Sequence, residues 1–91
     1  MRPEQLLSRR KDLFGRELEG ELILFDPLTN VTHRLNPTAS FVYSCCDGRT
    51  RLEDIVEQYH EAFGVDLQIS RRDVEHVINS LNRLALLDPQ A

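Results

Sequence analysis

The stretch Val31-Thr32-His33-Arg34-Leu35-Asn36-Pro37-Thr38-Ala39-Ser40-Phe41-Val42 holds the point where the chain changes period. Val31, His33 and Leu35 alternate with polar residues and share one face, the mark of a half-buried strand. From residue 36 the spacing becomes helical. Asn36 is a natural N-cap, and Pro37 takes the first helical position, where its missing N–H costs nothing. The helix carries Phe41, Val42 and Cys45 inward and stops at Asp47-Gly48.

Upstream, Asp26-Pro27-Leu28-Thr29-Asn30 reads as a turn. Pro27 sets φ for an early turn position, and Asp26 and Asn30 can hydrogen-bond nearby backbone. Before it lies the apolar run Glu21-Leu22-Ile23-Leu24-Phe25, too short for a helix and rich in strand formers. Two such runs across one turn make a hairpin. Glu19-Gly20 is a second tight turn, and Leu13 to Glu17 is a candidate first strand.

Downstream, Thr50-Arg51-Leu52-Glu53 has capping-box form. Leu52, Ile55, Val56, Tyr59 and Phe63 follow as one apolar stripe, closed by Gly64. Ser70 opens a third helix with Val74, Val77, Ile78, Leu81, Leu84 and Ala85 as its stripe, ended by Asp88-Pro89. The expected fold is α+β and winged-helix-like: a three-stranded antiparallel sheet followed by three α-helices, which cover one face of the sheet. Residues 1–12 are expected to be a loosely ordered N-terminal arm that Leu6 and Leu7 tether. Residues 13–88 form the domain.

Size and charge narrow the function. At 91 residues and 10.6 kDa the chain is one domain, with no room for separate catalytic and cofactor domains. The net charge of −4 and pI near 5.3 argue against nucleic acid, whose partners usually present a basic face. The short basic runs Arg9-Arg10-Lys11 and Arg71-Arg72 read as solvated surface. Cys45 and Cys46 are adjacent, cannot easily form a normal disulfide, and lack metal-ligand spacing. They read as buried small hydrophobes, and free thiols suit a reducing cytoplasm. No signal peptide and no membrane span are visible, so a soluble, cytoplasmic protein is expected. His33, His60 and His76 fall on different elements, and His60-Glu61 lacks the second His of a zinc-protease helix. No phosphate-binding glycine loop occurs. No catalytic residue, metal ligand or cofactor site is expected, and the chain does not read as an enzyme.

The informative feature is an edge. In a meander the outer strands leave backbone N–H and C=O groups free. Val31 to Leu35 is such an edge, and it runs straight into a helix that holds it in place. An extended peptide can add there as a further strand, with side-chain pockets setting specificity.

From Gly20 to Leu87 the chain resembles the PqqD family. The residues that carry the resemblance are Gly20-Glu21-Leu22, Asp26-Pro27, Leu35-Asn36-Pro37-Thr38-Ala39, Val42-Tyr43, Asp47-Gly48, Thr50 with Leu52-Glu53-Asp54-Ile55, Phe63-Gly64-Val65 and Asp73-Val74. The chain departs from the family at Cys45-Cys46, where large apolar residues are usual, at Tyr43, often Trp, and at Ala85, near a frequent Gly. The resemblance implies a RiPP recognition element: a small winged-helix module that binds the leader segment of a ribosomally made precursor peptide. Such a module presents the leader to a modifying enzyme, typically a radical S-adenosylmethionine enzyme, as in pyrroloquinoline quinone synthesis. The leader adds to the third strand, in a groove against the third helix. In this sequence that maps to Val31, Thr32, His33, Arg34 and Leu35, and to one flank of the helix from Ser70. At 100° per residue Arg71, Val74, Glu75, Ile78 and Asn82 lie within about 100° of one another. This set is expected to line the groove, with Val74 and Ile78 as its apolar floor. The alternative reading is a winged-helix module that binds DNA or associates with transcription, using Arg71, Arg72, His76 and Arg83 against Asp73 and Glu75. An open edge can also pair with a second copy, giving a homodimer.

Overall fold

The turn between residues 18 and 21 sets the first hairpin. Glu19 and Gly20 both take left-handed φ, 52° and 81°, as the tightest two-residue hairpin loops require. In this computed structural model, which describes residues 1–88, the first strand, β1, is Leu6–Ser8. The meander follows as β2 (Phe14–Leu18), β3 (Glu21–Asp26) and β4 (Val31–Leu35). Then come α1 (Pro37–Cys45), β5 (Asp47–Arg51), α2 (Leu52–Phe63) and α3 (Leu67–Arg83). The architecture is α+β, with the expected three-stranded antiparallel sheet in the order β2-β3-β4 and three helices. Phe14 pairs with Phe25 and Leu18 with Glu21; Leu22 pairs with Leu35 and Asp26 with Val31. Paired residues share a face, so Leu22, Leu24 and Leu35 point together toward the helices, and Leu24 and Leu35 are buried.

The turn after β3 closes as its residues suggest. The Asn30 N–H donates to the Asp26 carbonyl at 2.8 Å, and the Leu28 N–H donates to Asp26 Oδ1 at 3.0 Å. At the far end of β4, Asn36 caps α1 by accepting from the Ala39 N–H at 2.8 Å, with Pro37 next to it. β4 is therefore fastened at both ends.

The arm departs from expectation. Residues 1–12 are not loose: β1 pairs with β5 (Leu6 with Arg51, Ser8 with Asp47), and the Asp88 N–H donates to the Ser8 carbonyl at 2.8 Å. Leu7 is fully buried. A three-residue strand shows no measurable period, so sequence patterning could not reveal it. The close approach needs Gly48: a Cβ there would sit 2.6 Å from Ser8 Oγ, and its φ is +78°. The arm also replaces the expected capping box of α2. Thr50 donates to Asp47 instead, and the Arg51 side chain at the N-cap makes no capping hydrogen bond. The free donors of Leu52 and Glu53 are met by the carbonyls of Gln5 and Pro3, each at 2.9 Å. The strands thus do not all precede the helices.

Gly64 ends α2 as expected. α3 begins three residues earlier than Ser70, capped by Asp66, which accepts from the Ile69 N–H at 2.8 Å. Ser70 is buried and donates to the Val65 carbonyl. α3 stops at Arg83, and Leu86 and Leu87 turn back into the core. The expected stop at Pro89 lies outside the described residues. Cys46 is fully buried and burial pushes its thiol up to about 12. It packs as a hydrophobe, while Cys45 is half-buried beside Gln58. Among the described residues no helix is long and apolar enough to cross a membrane.

Candidate functional site

β4 pairs with β3 along one side, and along its other side no described strand continues the sheet. The row of backbone groups on that side is open. Beside this edge lies a cleft of about 500 Å³. One wall is Arg34 and Leu35 of β4, continued by Asn36, Thr38 and Ala39. The opposite wall is α3, which contributes Asp73, His76, Val77, Ser80 and Leu81, with Leu84 just past its end. Tyr59 of α2 also lines it.

The apolar lining comes from Leu35, Ala39, Val77, Leu81 and Leu84. Leu35 and Leu81 are themselves buried, so this part of the wall is rigid core, whereas Leu84 is 45% exposed. Tyr59 is held by ring contacts with Phe41 (6.3 Å) and Phe63 (4.7 Å). Its hydroxyl donates to Asp73 Oδ2 at 3.2 Å. Burial, and then the neighbouring Asp73 carboxylate, push that hydroxyl above the usual tyrosine range, so it stays a donor at neutral pH. At the rim, the Arg34 guanidinium donates to Glu21, on the adjacent strand. The cleft offers an apolar trough, a fixed carboxylate and an open strand edge. That combination suits recognition of an extended chain.

The structure separates the expected site residues into two groups. Val31, Thr32, His33, Arg34 and Leu35 all lie on the open-edged strand, with Leu35 buried, His33 half-buried and the other three exposed. On α3 the expected flank is displaced. Val74 and Ile78 are 0% exposed and pack in the core, and neither lines the cleft beside β4. Arg71 lines a different cleft, between α2 and α3, with Glu53, Asp54 and Glu57. Glu75 and Asn82 are not among the residues lining the cleft beside β4. The flank that faces β4 is Asp73, His76, Val77, Ser80 and Leu84. Helical spacing locates the buried stripe but not which of its sides meets the sheet. Asp73, a charge beside an apolar stripe, and Leu84, an apolar residue at its end, were the sequence signals for this side. The surface of α3 mixes Arg71, Arg72 and Arg83 with Asp73 and Glu75 rather than forming a basic face.

His60 contacts the Val65 carbonyl and His76 lies in the cleft. Among the described residues no three His, Cys, Asp or Glu side chains gather as a metal site.

Comparison with known proteins adds two findings. The model of the family described as coenzyme PQQ synthesis protein D (PqqD) matches residues 21–87. Among curated proteins none matches the chain. A solved structure described as TbiB1 in complex with the TbiA(beta) leader peptide superposes with a TM-score of 0.80 at 21% sequence identity. The superposition covers 92% of this chain and 98% of that one. The two share a fold, and the superposition takes in more of this chain than the 21–87 span of the family match.

Proposed function

The chain belongs to the PqqD family, and from that membership we propose that it is a non-catalytic module that binds the leader segment of a ribosomally made precursor peptide. The observation that carries this reading is the open edge of β4 lying directly against the cleft. A peptide added to β4 would place alternate side chains over that cleft, because side chains along a strand alternate in direction. The backbone groups of Val31 to Leu35 would supply affinity, and the Asp73–Leu84 side of α3 would supply selectivity. The structural neighbour supports the reading, since its partner is a leader peptide. We further propose that the bound leader is presented to a modifying enzyme of the radical S-adenosylmethionine class. The module would work in the cytoplasm, where Cys45 and Cys46 stay reduced.

The test is titration of the protein with the leader of a short precursor encoded beside its gene, followed by amide NMR. Binding tighter than about 100 μM, with shifts centred on β4 and the facing side of α3, is expected. Absence of binding, or shifts confined to other elements, would sink the proposal.

A further inference from the structure

The cleft lining sets the apolar side chains Leu35, Ala39, Val77, Leu81 and Leu84 beside polar ones, and Asp73 is the acid among them. One carboxylate oxygen, Oδ2, accepts the Tyr59 hydroxyl at 3.2 Å. The other, Oδ1, has no donor among the described residues, and no ion pair among them includes Asp73. Besides Tyr59, the other ionisable groups in the lining are Arg34 and His76. Arg34 is engaged with Glu21. His76 lies three residues along the helix and makes no ion pair with Asp73. The Tyr59 bond fixes the direction of a carboxylate that is half-buried already.

A peptide lying over the cleft would strip the remaining water from Asp73. Desolvating a carboxylate without a replacement donor is expensive, and a cationic donor compensates best. A lysine or arginine suits the rest of the lining too. Its methylene stem can lie along Val77, Leu81 and Leu84 while its head reaches the carboxylate. Resting on the peptide-binding reading above, we propose that Asp73 is the specificity-determining residue of the cleft. It selects a lysine or arginine at one inward-facing position of the peptide that pairs with β4. Strand alternation confines the preference to that position, with apolar residues favoured two places to either side. The net charge of −4 draws a basic segment in the same direction.

The probe is a random-peptide display library selected on the full chain, the Asp73→Asn variant and the Asp73→Glu variant. Lys or Arg should be enriched at one position with the native chain and with Asp73→Glu, and the enrichment should vanish with Asp73→Asn. In a selected synthetic peptide, replacing that lysine by norleucine should weaken binding to the native chain by about tenfold or more. The same replacement should leave binding to Asp73→Asn unchanged, a coupling that a purely structural role would not produce. Selected peptides without a basic preference, with a hydroxyl-bearing residue in its place, or with a basic preference that survives Asp73→Asn overturn the assignment of Asp73 alone. A library that yields no binders, or binders that leave the β4 amide signals unmoved, overturns the peptide-binding reading together with it.

Discussion

Asp26 is where three segments distant in sequence meet. Its carboxylate is 1% exposed and takes both arms of the Arg10 guanidinium, at 2.7 and 3.0 Å. Arg10 also bonds Asp12 and the Ala85 carbonyl. Arg10 therefore links the N-terminal segment, the β3–β4 turn and the chain end. The neighbouring Arg9 donates to the Ser44 carbonyl at 2.6 Å and lies over the Tyr43 ring. As sequence, both arginines read as part of a solvated basic run, and Asp26 reads as a turn residue. The turn role is real, but a partner 16 positions away leaves no trace in local spacing. The Arg10 guanidinium holds the Asp26 carboxyl down to about 2, against hydration lost on burial. A depressed carboxyl stabilises the fold fully above its unfolded pKa near 4 and loses that contribution as pH falls through 2. Asp26→Asn should lower Tm at pH 7 and flatten the acid destabilisation between pH 4 and 2. Thermal melts across that window check both; an unchanged acid slope would remove Asp26 from the account.

Among the elements, β4 and α3 carry the candidate site, and they were legible to different degrees. The alternation of Val31, His33 and Leu35 and the Asn36-Pro37 cap are local patterns, so the strand and its edge could be read directly. The stripe of α3 could be read as well. Which flank of α3 faces β4 depends on how the helix is set against the sheet, which no spacing within the helix records. β1 is only three residues long and β5, Asp47-Gly48-Arg49-Thr50-Arg51, has no apolar residue to show a period, while their pairing joins residues as far apart as Leu6 and Arg51. The edge makes a paired prediction. Successive residues of an antiparallel strand point their N–H groups to opposite sides. Of Thr32→Pro and His33→Pro, one must remove a bond from the β3–β4 ladder and the other a donor from the open side. One variant should lose Tm. The other should keep its Tm while peptide affinity falls by about tenfold or more. Calorimetry with peptide titration separates them, and two variants that bind as the native chain does would refute strand addition.

At the scale of the whole fold, the described residues span 37 × 34 × 19 Å, thin in one direction. A core that shallow depends on every segment that closes it, including the first. Leu7 is 1% exposed, and Pro3 and Gln5 meet the first free donors of α2. Leu7→Ala should cost about 2–5 kcal/mol in denaturant unfolding. Deleting residues 1–9 should also speed hydrogen exchange at the amides of Leu52 and Glu53. An intact melting curve after that deletion would show that the arm is dispensable.

β4 is secured before any partner arrives, by the Asp26–Asn30 turn at one end and the Asn36 cap at the other. Its backbone has little freedom left to lose. The entropic penalty of association then falls on the incoming chain, so affinity depends on how extended that chain is in solution. Residues that bias a free peptide toward β geometry, or a ring closure that does so, should slow its departure without altering a single atom of the protein.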